Sequence, residues 1–253
     1  FDFSLFLSQT TVGQVQSHSD SFDTTEIDWA IKNIITKTEA RIGGILNEVN
    51  SHPLFSAVGV VGPNQVFIPT QDGISEIASQ RAREGGLCYP LAAKLVSSDL
   101  PHKSEHGAIM LNIENSAALS LAISEMLNTI QTSAQDARID GVLLQEMVYG
   151  LGEAIVGLHR DNLVGPMITV GAGGVFTEIY KDISIRPAPV TLATAHKMIA
   201  EVKGFTSLRG YRGGPVTDLE TLAQAITAVS QLGKYEQIAE AEINPLLILF
   251  PGP

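Results

Sequence analysis

From about residue 51 onward the sequence alternates short apolar runs with runs of helical periodicity, and several of the short runs follow one another across links of a few residues. Antiparallel neighbours can be joined by such links, whereas parallel neighbours need a crossover of a dozen residues or more. The pattern therefore predicts α+β layers with antiparallel sheets rather than a doubly wound parallel sheet. Strands are expected over 65–68, 91–96, 109–113, 141–148, 153–159, 166–170, 177–185 and 240–249. Helices are expected over 73–84, 116–130, 190–202 and 218–232, the last opened by Thr217 as N-cap with Glu220 three residues on. Before residue 50 the chain is rich in Ser, Thr and Gln. Periodicity begins near Asp28, where Trp29, Ile31, Ile34 and Ile35 mark an amphipathic helix that Gly43-Gly44 interrupts. Residues 1–49 read as an extension or linker, 50–140 as a first lobe and 141–253 as a second.

The composition excludes several classes. With 44% hydrophobic and 17% charged residues, the chain is neither disordered nor a coiled coil. Its longest apolar runs, such as 246–250, fall far short of the roughly 20 residues of a membrane span. A net charge of −11 argues against nucleic acid or an anionic membrane as main partner. The single cysteine, Cys88, excludes an internal disulfide framework and a Cys-based zinc site, which points to a reducing, cytoplasmic setting. Phe1 is not an initiator Met, so the chain reads as trimmed or as part of a longer one.

In so acidic a chain, clustered basic residues are informative. Lys94 interrupts an apolar strand, where a cation is costly to bury unless it meets an anion. A turn-rich loop follows with His102, Lys103, Ser104, His106 and Gly107. Point charges, a hydroxyl and backbone N–H groups in that order can wrap a polyphosphate. The alternative is a solvated loop with Lys94 snorkelling from an edge strand. Leu143-Leu144-Gln145-Glu146-Met147 ends a strand that can present backbone groups to a base, and Glu153 can accept from ribose hydroxyls; ordinary carboxylates at a strand end are the plainer reading. Glu242 and Asn244 share one side of a strand, and their hard oxygens, with Glu178 on another strand, suit Mg²⁺ held jointly with nucleotide phosphates. An Asn-Pro strand exit is the alternative. Arg186 either covers a phosphate or forms a strand-exposed ion pair. The six histidines show no metal-ligand spacing, there is no G-x-S-x-G elbow, and Gly171-Ala172-Gly173-Gly174 lacks the order of a dinucleotide fingerprint.

Taken together and in order, these segments resemble the ATP-grasp domain of NDP-forming acyl-CoA synthetases, and are similar to the beta subunit of succinyl-CoA synthetase. The resemblance rests on Tyr89-Pro-Leu-Ala-Ala-Lys94, Asp99-Leu-Pro-His-Lys-Ser-Glu105, Gly141-Val-Leu-Leu-Gln-Glu-Met-Val148, Glu153-Ala-Ile-Val-Gly157, Gly210-Tyr-Arg-Gly213 and Glu242-Ile-Asn-Pro-Leu246, and spans about residues 50 to 250. It implies two α+β lobes with antiparallel sheets gripping a nucleotide. Lys94 would lie on the triphosphate under a loop made of His102, Lys103 and Ser104. Glu146 and the Met147 backbone would meet the adenine, Glu153 the ribose, and Glu242 with Asn244 the magnesium, while Arg186 adds charge.

The implied reaction is ATP + carboxylate + CoA giving ADP + phosphate + acyl-CoA through a phosphohistidine. The implied partner is a CoA-binding alpha subunit, or fused N-terminal CoA-binding domains, that binds the carboxylate and CoA. His102 would be a phosphoryl relay, or else a structural part of its loop. Three features depart from the family: Ala108 stands where its loop has a second glycine, the final strand reaches Phe250-Pro-Gly-Pro253 without the aspartate expected to complete the magnesium site, and this sequence shows no CoA-binding Gly-rich domain or phosphohistidine segment, so the resemblance implies an enzyme incomplete without its CoA-binding part. Two rival readings are a non-catalytic module like those fused to protein lysine acetyltransferases, and an ATP-grasp ligase joining a carboxylate to an amine.

Overall fold

The computed structural model describes residues 8–12, 14–15, 25, 28–29, 31–34, 46–97, 107–173, 181–213 and 216–249. The chain divides into two compact units, one of residues 63–148 and one that joins 1–62 to 149–253.

The 63–148 unit is a four-stranded sheet in the order β4-β7-β5-β6, built from β4 (Gln65–Pro69), β5 (Leu91–Val96), β6 (Ile109–Ile113) and β7 (Gly141–Glu146). All three pairings are antiparallel. Helices α2 (Ile74–Glu84) and α3 (Ser116–Ser133) supply Ala78, Leu119, Ile123 and Met126 to a core with Ile68, Leu91, Leu95 and Leu144. Asn115 caps α3, its side-chain oxygen accepting from the Ala118 N–H at 3.0 Å. The strand expected to open the second lobe, β7, instead lies inside this sheet, between β4 and β5. Its register, with Leu143 opposite both Phe67 and Lys94, ties it to both neighbours. The change of unit therefore comes after residue 148, not at 141.

The other unit holds a five-stranded sheet, β1-β11-β8-β9-β10, and a short β2-β3 pair. Its strands are β1 (Ser8–Val12), β2 (Gln14–Val15), β3 (Val60–Val61), β8 (Gly152–Asp161), β9 (Gly165–Ala172), β10 (Ile183–Pro187) and β11 (Glu240–Ile248). Helices α1 (Glu48–Ala57), α4 (Leu192–Glu201) and α5 (Leu219–Ser230) complete it. Phe55, Met198, Phe205, Ile226 and Val229 pack with Val156, Ile168 and Ile243 in one core.

Two findings differ from the sequence reading. Of the N-terminal residues, Ser8–Val12 form β1, which joins the sheet beside β11 in a parallel pairing. Ile31 is fully buried in the same core, and the Tyr235 hydroxyl donates to the Asp28 carboxylate. Second, α5 is capped by Asp218, whose Oδ1 accepts from the Thr221 N–H at 2.8 Å. Thr217 is buried, and its hydroxyl is spent on the Leu208 carbonyl at 3.1 Å.

Candidate nucleotide site

Lys94 sits mid-strand in β5, where all six residues are buried, and is itself only 2% exposed. Its neighbours across the sheet are Ile109 on β6 and Leu143 on β7. The apolar residues that make β5 a central strand thus hold the one lysine in a fixed, water-poor place. The snorkelling alternative is not what the strand shows. His102, Lys103, Ser104 and Glu178 lie outside the described residues. Just past the phosphate-loop candidates, the positive φ of 66° falls on Gly107. Ala108 is buried with an ordinary negative φ, so replacing the family glycine there strains nothing.

Glu146 ends β7, with both carboxylate oxygens engaged. Oε1 accepts from the Cys88 N–H at 2.8 Å and Oε2 from the Asn64 side-chain amide at 2.8 Å. The Glu146 N–H donates back to the Asn64 carbonyl at 3.0 Å, and the next N–H, Met147, donates to the Pro90 carbonyl at 3.0 Å. Proline has no N–H to return, so in the β5–β7 ladder the Met147 carbonyl receives nothing from its opposite residue.

In the other unit, Glu153 is exposed near the start of β8. Its carbonyl accepts from the Gly173 N–H at 2.6 Å. A Cβ on Gly173 would stand 2.5 Å from the Glu153 Cβ, so only glycine allows this approach. Arg186 on β10 is turned to its own unit: its guanidinium pairs with Glu201 of α4 and donates to the Ile185 carbonyl at 2.8 Å. The Ser184 hydroxyl donates to the other Glu201 oxygen at 2.6 Å. That hydrogen bond, then Arg186, holds the Glu201 carboxyl below the usual carboxylate range. Of the two readings of Arg186, the ion pair is the one observed.

Glu242 and Asn244 do share a side of β11, and the Asn244 side chain hydrogen-bonds the Glu242 carboxyl. Glu242 lies opposite Gly157, and the pairing register with β8 shifts between Ile243 and Leu246, across Pro245. Burial pushes the Glu242 carboxyl above its ordinary value, the Glu240 charge adds to the rise, and the Asn244 bond opposes it. Among the described residues no group of three or more His, Cys, Asp or Glu could hold a metal. Two oxygen donors on one strand, one a desolvated carboxylate, nevertheless fit Mg²⁺, which takes one or two protein ligands and fills the rest with water and phosphate.

A four-stranded sheet and a five-stranded sheet, antiparallel except for the β1–β11 pairing and each packed with helices, are the α+β architecture of an ATP-grasp fold. A model of the ATP-grasp domain matches residues 37–250, and the chain belongs to that family.

The relatives are more particular. Over 163 residues the chain is 37% identical to the acetate–CoA ligase (ADP-forming) I subunit beta of Pyrococcus furiosus, covering 64% of this chain and 70% of that one. Over 166 residues it is 42% identical to the acetate–CoA ligase (ADP-forming) I of Archaeoglobus fulgidus, covering 65% of this chain but only 24% of the longer relative. Among solved structures, acetyl-coenzyme A synthetase 1 of Ca. Korarchaeum cryptofilum, in complex with coenzyme A and Ca-AMPCP, superimposes with a TM-score of 0.78 at 30% identity, covering 87% of this chain and 94% of that one. The same protein with coenzyme A and Mg-AMPPCP, its phosphohistidine segment pointing towards the nucleotide binding site, gives a TM-score of 0.70 at 28% identity over 87% and 93% of the chains. No helix among the described residues is long and apolar enough to cross a membrane.

Proposed function

We propose that this chain is the nucleotide-binding part of an ADP-forming acyl-CoA synthetase, a ligase that makes acyl-CoA from a carboxylate, CoA and ATP. The observation that carries the reading is Lys94, held buried on a central strand of a chain 37% identical to an acetate–CoA ligase β subunit.

Phosphoryl transfer asks for positioning and charge neutralisation more than for covalent chemistry by the fold. Lys94 supplies a fixed positive charge for the phosphates, joined by Lys103 and the Ser104 hydroxyl from the following loop. The Met147 carbonyl accepts from the 6-amino group of adenine, which guanine replaces with a second acceptor; this favours ATP over GTP. Glu153 takes the ribose hydroxyls. Glu242 and Asn244 hold Mg²⁺, which when bound neutralises phosphate charge.

The terminal P–O bond of ATP breaks as a P–N bond forms on His102 and ADP leaves; that bond breaks in turn as a P–N bond forms on a histidine of the CoA-binding partner. That P–N bond then breaks as the carboxylate takes the phosphoryl group, and the CoA thiolate displaces phosphate to give the thioester. His102 serves as a phosphoryl relay on this route. The partner is a CoA-binding α subunit or fused domain, and a single cysteine suits a cytoplasmic enzyme.

The test is phosphorylation of the CoA-binding partner by labelled ATP in the reconstituted complex. Lys94→Ala is expected to abolish the labelled phosphohistidine while the chain stays folded. Normal labelling by Lys94→Ala would reject the assignment.

A further inference from the structure

The bonds around Glu146 join three segments that are far apart in sequence. Asn64 lies 82 residues from Glu146, and Cys88 lies 58 residues from it. Asn64 meets Glu146 twice: its carbonyl takes the Glu146 N–H at 3.0 Å, and its amide gives to Oε2 at 2.8 Å. The Cys88 N–H fills Oε1, and two residues on, the Pro90 carbonyl takes the Met147 N–H. A carboxylate so bonded is fixed in place, and with it the residue that follows. With one internal donor on each oxygen, the carboxylate is oriented by the protein rather than by a ligand.

We propose that Asn64 is a positioning residue: it clasps the Glu146 carboxylate against the Cys88 N–H and so fixes the strand exit from which the Met147 carbonyl meets the purine. Glu146 is then a brace and not itself a contact to the base. This rests on the nucleotide-binding reading above. Neither Asn64 nor its partnership with Glu146 announces itself in the sequence.

The chemistry of the clasp supplies its own test. Asn64→Asp sets two carboxylates face to face, which opens the clasp. Glu146→Gln leaves an amide oxygen for the Cys88 N–H, and the Asn64 amide can turn to accept from the new NH₂. Combining the two changes rebuilds the pair with donor and acceptor exchanged. Binding of Mg-ADP, followed by calorimetry, is expected to weaken about fivefold in Asn64→Asp, to stay within about twofold in Glu146→Gln, and to return to within about twofold in the double variant. Thermal melting of each variant checks that it is folded. A Glu146 that accepts directly from the base would give a different order: Glu146→Gln would be weak, and the double variant no better than Asn64→Asp. Either result overturns the proposal.

Amide hydrogen exchange at Met147 reads the same clasp without any nucleotide. It is expected to quicken in Asn64→Asp and to recover in the double variant. Wild-type chain that fails to bind Mg-ADP would reject the nucleotide reading; unchanged Met147 exchange would reject the clasp itself.

Discussion

The two compact units treat their candidate residues in opposite ways. In the 63–148 unit, Lys94 is sealed in a central strand and Glu146 has a donor on each oxygen, so side-chain position is set before any ligand arrives. In the other unit, Glu153 is exposed, and Glu242 carries a carboxyl whose pKa burial has raised, with only Asn244 opposing the rise. The arginine that could have helped, Arg186, is spent on Glu201. One unit is preorganised, and the other is left electrostatically unfinished. A divalent cation with its phosphates is the kind of ligand that would complete it.

The largest expected effect lies on the preorganised side. Lys94→Ala should weaken Mg-ADP binding by about a hundredfold, as loss of a buried charge facing phosphate implies. Lys94→Met, which keeps the volume, should do the same while retaining the melting temperature better. An effect of only a few-fold would show that the lysine is structural.

Glu242→Gln should weaken Mg²⁺-dependent nucleotide binding on the order of tenfold, with little effect when Mg²⁺ is absent. It also carries a pH signature. Because the folded pKa of Glu242 is raised, the folded state favours the protonated form. The stability this gives is present at low pH and is lost as pH rises from the unfolded value to the folded one. Melting of the wild type without Mg²⁺ should therefore fall relative to Glu242→Gln across that window, and added Mg²⁺ should restore it. A wild type that gains on the variant as pH rises would contradict the burial argument.

Arg186→Ala should change nucleotide affinity by about twofold or less, since its partner is Glu201. A loss comparable to that of Lys94→Ala would mean that the guanidinium leaves Glu201 for the ligand. The smallest effect concerns the N-terminal segment. Tyr235→Phe removes the bond to Asp28, raises no charge, and should cost about 1 kcal/mol in thermal or denaturant unfolding without altering binding.

What the sequence made visible follows from local signals. β5 was legible because a continuous apolar run broken by one lysine reads as a buried strand with a purpose. Glu242 and Asn244 were legible through a spacing of two. β1 was not, because a polar Ser-Gln-Thr-Thr run carries no alternation, and its place beside β11 depends on pairing across more than two hundred residues. Nor was the unit membership of β7, since strand order within a sheet is a non-local property. The fate of Arg186 was left open because its partner, Glu201, lies 15 residues away on a helix. Asn64 gave no signal, being one exposed asparagine after a proline. Thr217 and Asp218 are both good caps, and burial of the first decided between them.

The most direct measurement is a calorimetric titration of the chain with Mg-ADP, Mg-ATP and Mg-GTP, with Lys94→Ala alongside. Micromolar binding of the adenine nucleotides, weaker binding of GTP and near-complete loss in Lys94→Ala are expected. Wild-type chain that is folded yet binds none of the three, or a Lys94→Ala variant that binds them equally well, would contradict the nucleotide-binding reading.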